Sequence, residues 1–119
     1  MRIWVDDIRD PREWLPNISW FRGRDPNELS EWIWIKTAQE AIALLESEQV
    51  DEISLDFDLG DPDEVGDGNH VAVWIEEKTF SDDQYIPPTI HVHSSNISGR
   101  PRLEAAIASI EKIMARRFA

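Results

Sequence analysis

The chain has 119 residues, 41% of them hydrophobic, with six Trp and no Cys. That size fits one domain, 1–119, with a real buried core, and the lack of Cys excludes disulfides, thiol catalysis and thiolate metal sites. Acidic residues outnumber basic ones 24 to 12, a net charge of −12, which argues against bulk DNA binding because that needs Lys and Arg to neutralise phosphates.

No apolar run reaches the length of a membrane span, and the N-terminus reads as a strand without a signal-peptide pattern. A cytoplasmic protein with no membrane partner is expected. Arg2–Val5 reads as the first strand and ends at Asp6-Asp7. Residues 8–31 carry Pro11, Pro16, Gly23 and Pro26. They predict a long irregular connection, with a helical turn near Pro26–Trp32 or, alternatively, a short strand near Ser19–Phe21. Trp32–Lys36 is the second strand. Thr37, with Glu40 three residues on, predicts a capping box opening a helix whose apolar stripe is Ala38, Ala41, Ile42 and Leu45.

Val50–Asp56 is the third strand, and it runs straight into Asp56 and Asp58. Residues 57–69 form an acidic, Gly-containing loop. Its Asp61, Asp63 and Gly66 match three positions of a calcium loop, but Val65 and Ala72 stand where ligands are needed, which excludes an EF-hand. A helix follows from Asn69 to Phe80, with Val71, Trp74 and Ile75 inward. Thr89–His93 is the fourth strand. The last helix spans Pro101–Arg117, with Leu103, Ile107, Ile110 and Met114 on one face. Arg116 and Arg117 suit the negative end of its dipole.

Strands alternating with helices predict an α/β fold: a four-stranded, mostly parallel sheet with helices on both faces. A strand order of 2-1-3-4 places the ligand crevice between strands one and three and gathers Asp6, Asp7 and Asp56 there. Any one Asp at a strand end is more simply a turn former or a helix cap. Several from two adjacent strand ends are different, since like charges raise one another's pKa unless a cation sits between them. Hard oxygen ligands suit Mg²⁺ or another divalent cation. Asp7 and Asp56 are the first choices, joined by Asp6 or Asp58.

His91 and His93 share one strand face. His93 stands at the strand end, before Ser94, Ser95, Asn96 and Gly99-Arg100. Those residues offer hydroxyls, an amide, backbone N–H groups and a guanidinium where a phosphate docks, and an imidazole beside carboxylates moves protons near neutral pH. His93-Ser94-Ser95 also fits the His-x-Ser/Thr pattern of two-histidine phosphoesterases, but His70-Val71-Ala72 does not supply the second copy. Neither a Gly-x-Ser-x-Gly elbow nor a P-loop pattern occurs.

Asp-Asp after strand one, Asp after strand three and a hydroxyl after strand four are similar to the receiver domains of two-component signalling. That resemblance implies a small three-layer, flavodoxin-like fold. It also implies Asp56 as phosphoryl acceptor, Asp6 and Asp7 as metal-site acids and Ser94 as the switch hydroxyl. The usual fifth strand with its Lys is missing. The chain more closely resembles the cyclic-phosphate processing receiver-like family. The resemblance is carried by Val5-Asp6-Asp7-Ile8-Arg9, Thr37 with Glu40-Ala41, Ser54-Leu55-Asp56-Phe57-Asp58-Leu59-Gly60, Gly68, Trp74-Ile75-Glu76, and Val92-His93-Ser94-Ser95-Asn96 with Gly99-Arg100. It implies a role on cyclic phosphates of nucleotides or RNA ends. The chain departs from the pattern at Phe57, where LDHDLG is expected, and at Asn69-His70, where Gly-Tyr-Asp is expected. If position 57 supplies a catalytic imidazole in the family, this chain binds without turnover. His70 substitutes only if the acidic loop folds back over the site.

Three functional readings follow. The first is metal-assisted processing or binding of a phosphate ester, a small molecule or an RNA end. In it, Asp56, His93 and Asp58 are catalytic, and Asp6, Asp7 and Asp56 hold the metal. Arg9, Ser94, Ser95, Asn96 and Arg100 hold the phosphate. The second is a catalytically degenerate module that sequesters a nucleotide or regulates a protein partner. The third is an acidic interaction or inhibitor protein, with carboxylates spread along one exposed face.

Overall fold

The computed structural model describes residues 1–118. Strands β1 (Arg2–Val5), β2 (Trp32–Ile35), β3 (Glu52–Leu55) and β4 (Thr89–Val92) form one parallel sheet in the order β2-β1-β3-β4, as expected. The order dictates the layers. The chain steps one way from β1 to β2 and the opposite way from β2 through β3 to β4. Right-handed crossovers therefore place residues 8–31 on one face and the later helices on the other.

Period-two alternation sorts the strand side chains between these faces. Ile3, Val5, Ile53 and Leu55 meet helices α2 (Ala38–Ser47), α4 (Gly68–Ser81) and α5 (Gly99–Arg117) in the larger core. Trp4 and Trp32 point the other way, into a second core with Leu15 and Phe21 from the first crossover. Of the expected helical stripes, Val71, Ile75, Leu103 and Ile110 are buried, while Trp74, Ile107 and Met114 are half-buried.

The crossover is more ordered than its punctuation suggests. Asp10 caps the one-turn helix α1 (Pro11–Trp14) by accepting from the Arg12 N–H, and Pro11 occupies the first turn. A 3-10 turn, Leu15–Asn17, follows. The turn expected near Pro26 is a 3-10 helix, Pro26–Glu31, capped by Asp25. Ser19–Phe21 is a turn and not a strand, with the Phe21 N–H bonded to the Ile18 carbonyl.

Three local expectations are corrected. The Thr37 hydroxyl accepts from the Glu40 N–H, but the Glu40 carboxylate meets that hydroxyl and not the Thr37 backbone, so the capping box is half formed. The full box belongs to α4, where Asp67 and His70 cap each other's backbone N–H groups. Residues 57–69 contain a one-turn helix, α3 (Pro62–Val65). This segment leans on α2, through Gln39 Nε2 donating to the Glu64 carbonyl and Gly66 packed on Ala38. His70 is therefore held as a cap. Arg117 donates to the carbonyls of Thr79, Asp82 and Tyr85, closing the end of α4 as well as suiting its own helix dipole. Among the described residues no helix is long and apolar enough to cross a membrane.

Candidate functional site

The sheet ladder continues one bond past three strands. Asp6 N–H donates to Ile35 O, Asp56 N–H to Val5 O and His93 N–H to Leu55 O, each at 3.0 Å. These amides fix Asp6, Asp56 and His93 side by side at the carboxyl ends of β1, β3 and β4.

Asp6 is fully buried. Its Oδ1 accepts from the Ile8 and Arg9 N–H groups, both at 2.9 Å, so the carboxylate folds the chain into a turn. Its Oδ2 lies 3.1 Å from His93 Nε2 and 3.5 Å from Arg9 Nη1. The His93 ring stacks on Trp4 at 3.7 Å and 3°, and its Nδ1 lies 2.7 Å from Ser54 Oγ. An ionised Asp6 only accepts. His93 Nε2–H therefore donates to Asp6, and the Ser54 hydroxyl donates to Nδ1. The line Ser54–His93–Asp6 contains the residue types of a nucleophilic triad, but Ser54 is fully buried in mid-strand and no substrate reaches it. The Trp4 and Trp34 indoles donate to the carbonyls of Arg9 and Asp6, at 2.9 and 2.7 Å. Tryptophans thus fix both ends of the 6–9 turn.

Asp56 Oδ1 accepts from the Phe57 N–H at 2.8 Å, and Oδ2 lies 3.3 Å from Arg9 Nη1. Arg9 thus bridges the two buried carboxylates, and its guanidinium also lies over the Trp14 ring, 5.0 Å from its centroid. One carboxylate oxygen from each of Asp6, Asp7 and Asp56 falls within 4.8 Å of the others. Burial pushes the Asp6 carboxyl up, but the bond from His93 and the two backbone N–H bonds outweigh it and leave the pKa below the ordinary value. Asp56 moves the other way. Burial and the adjacent Asp6 charge raise it, against His93, the Ser94 hydroxyl and Arg9.

This donor set fits a hard divalent cation. The three ligands are carboxylate oxygens, they converge, and one guanidinium does not neutralise three negative charges. Asp58 lies outside the cluster: it is exposed and accepts from Asn96 Nδ2 at 2.9 Å. Asn96 also takes the Ser98 and Gly99 N–H groups on its Oδ1, at 3.0 and 2.7 Å, and so caps α5. Ser94 is buried and its Oγ accepts from the Asn96 N–H; Ser95 is exposed. Arg100 reaches the Ser94 carbonyl at 3.2 Å and pairs with Glu104. The expected residues thus form two adjoining groups. Asp6, Asp7, Asp56, Arg9 and His93 make the first. Asp58, Ser94, Asn96 and Arg100 make the second, with Ser95 exposed beside them.

A family model described as the cyclic-phosphate processing receiver domain matches residues 1–109. The chain belongs to this family. No curated protein matches the sequence. In this receiver domain the Phe57 ring rests on Gly99, where any Cβ would run into it, and Arg102 lies 5.7 Å from the ring centroid. Gly68 is also needed, because a Cβ there would strike the Asp56 carbonyl.

Sequence reading missed Trp4, Ser54, Trp14 and Trp34 as parts of this receiver site. A usable signal exists for two of them. Trp4 stands two before Asp6, and Ser54 two before Asp56, so alternation puts each on the same face as its aspartate. A depression of about 680 Å³ lies elsewhere, between the ends of α4 and α5 near Phe80, Ile86 and Phe118. Arg117, which lines it, is already bonded to three carbonyls. The buried carboxylates, Asp6 and Asp56, lie at the strand ends.

Proposed function

We propose that the chain binds a cyclic phosphate ester of a nucleotide or RNA end over the carboxyl ends of β1, β3 and β4, and hydrolyses it. The observation that carries this reading is the convergence of Asp6, Asp7 and Asp56 around a single guanidinium in a chain of the cyclic-phosphate processing receiver family. Asp6, Asp7 and Asp56 hold a divalent cation. When bound, such a cation neutralises charge on the phosphoryl oxygens.

Opening the cyclic ester joins a water oxygen to phosphorus, breaks one ring P–O bond and leaves a proton on the freed alcohol oxygen. A cation held by Asp56 would favour its charged form and offset the rise that burial and Asp6 cause. Asp56 would then serve as a ligand, and solvent water would carry the proton. Sequence reasoning assigned that transfer to His93. Its side chain is 4% exposed and both ring nitrogens are engaged, so in this proposal His93 positions Asp6. Arg9 holds the phosphate, with Arg100, Ser94, Ser95 and Asn96 on the β4 side. Asp58 orients the Asn96 amide, a positioning role in place of the catalytic one first assigned to it.

A second reading, ligand binding without turnover, is favoured by Phe57, whose ring fills the space against Gly99 with no acid or base. The test is hydrolysis of 2′,3′-cyclic nucleotides with and without Mg²⁺, in wild type and Asp56→Asn. Mg²⁺-dependent turnover lost in the variant is expected. Mg²⁺-dependent thermal stabilisation by the nucleotide without its consumption selects the second reading. Neither effect with any cyclic phosphate removes both.

A further inference from the structure

Trp14 ends α1 and is 46% exposed, outside both apolar cores. The Arg9 guanidinium lies over its ring, 5.0 Å from the centroid. Arg9 in turn stands 3.3 Å from the Asp56 carboxylate. The protein therefore presents a row of carboxylates, guanidinium and indole, ending in solvent. Ile8, in the turn between Asp6 and Arg9, is 74% exposed.

Each member of the row prefers a different chemical group. Carboxylates take a cation, a guanidinium takes a phosphate, and an exposed indole takes a flat π-system. A nucleoside cyclic phosphate bound through a cation carries these groups in the same succession. Its phosphate lies next to the cation, and its base lies one ribose further out. A base-free cyclic phosphate satisfies only the first two members. We infer that Trp14 is the residue that stacks the nucleobase, and that it makes the site select base-bearing cyclic phosphates over base-free ones. This rests on the phosphate site proposed above and adds the recognition of the other half of the ligand.

The bland alternative is that Trp14 only pins Arg9. The two roles separate in a comparison of uridine and adenosine 2′,3′-cyclic phosphates with glycerol 1,2-cyclic phosphate, each with Mg²⁺. Wild type, Trp14→Ala and Trp14→Phe are measured by KM where the ligand is consumed and by Kd where it is not. Wild type is expected to favour the nucleotides by about tenfold or more. Trp14→Ala weakens the nucleotides more than glycerol cyclic phosphate, so the preference falls, and Trp14→Phe recovers part of it. Equal affinity of wild type for the two ligand classes overturns the inference while leaving the phosphate site standing. So does an equal weakening of both classes in Trp14→Ala, which marks Trp14 as a holder of Arg9. Binding of neither class to wild type overturns the inference together with the site. Because Trp14 lies outside both cores, its variants keep the fold, checked by an unchanged Tm.

Discussion

Two histidines, His91 on β4 and His93 just past its end, are built into similar surroundings and differ in their supply of positive charge. His91 stacks on Trp20 at 3.7 Å and 7° and meets Glu52 at 3.2 Å. His93 stacks on Trp4 at 3.7 Å and meets Asp6 at 3.1 Å. Around His91 the carboxylate has two guanidiniums. Arg24 grips Glu52 with two bonds of 2.8 and 2.9 Å, and Arg2 approaches it at 3.5 Å, while Glu28 and Glu31 pair with the same two arginines. Around His93, Asp6 shares its one guanidinium with Asp56, and Asp7 stands beside both. The first assembly closes on itself. The second is left with surplus negative charge, and surplus charge held in fixed geometry attracts a ligand.

Protonation differs accordingly. Arg24 bonding, opposed by burial and helped by His91, lowers the Glu52 carboxyl. Burial lowers His91, against Glu52. Both folded values lie below the unfolded ones, so both groups stabilise the fold at high pH. His91 contributes fully above about 6.5 and Glu52 above about 4.5, and each contribution is lost as pH falls through the lowered folded value. Asp56 has the opposite sign. Its folded value is raised, so its contribution is present below the ordinary 3.8 and lost as pH rises through the folded value.

The largest break in the comparison comes from the His91 side. Glu52→Ala leaves the half-buried Arg24 with Glu28 as its remaining partner and costs roughly 2 kcal/mol, read as a Tm fall of roughly 5–10 °C. Glu52→Gln loses less and flattens the acid limb of the stability–pH curve. An unchanged acid limb would show that this cluster does not set it. Ser54→Ala leaves the buried His93 Nδ1 without a donor and costs about 1–2 kcal/mol in denaturant unfolding. It also frees the imidazole tautomer that holds Asp6, so Mg²⁺ affinity weakens in calorimetry. The smallest stability effect runs the other way. Asp56→Asn raises Tm by a few degrees near neutral pH without Mg²⁺, because it removes a carboxylate the fold would rather protonate. The gain disappears below the ordinary 3.8. Added Mg²⁺ narrows the difference by stabilising wild type alone. A variant less stable than wild type near neutral pH would mean that Arg9 already compensates Asp56 fully.

Much of the fold could be read in advance because it rests on local patterns. Alternation gave the strands, helical spacing gave Ala41, Leu45, Val71, Ile75 and Leu103, and the reversal of direction after β2 follows from the expected order. The placement of Asp6, Asp56 and His93 followed from the same topology. What stayed hidden depends on register and on crossing the sheet. His93 meets Trp4 and Ser54 only because Ser54 pairs with Trp4 on one side and His91 on the other. Residues 8–31 looked irregular because Pro and Asn interrupt any period, yet they supply Leu15 and Phe21 to a second core. His70 and Arg117 looked like chemistry and dipole; a local capping box with Asp67 holds the first, and tertiary context makes the second a cap of α4.

The amides of Asp6, Asp56 and His93 belong to the ladder itself. Their main chain cannot swing toward an arriving ligand without unzipping sheet, so the charged floor is preset and little reorganisation accompanies docking. Discrimination must then come from the walls. Phe57 and Ser95 stand just beyond the last ladder bonds, and Trp14 stands in the first crossover against Arg9, where a substitution leaves the ladder undisturbed. A scaffold of this kind could be retuned from one ester to another by exchanging wall residues alone.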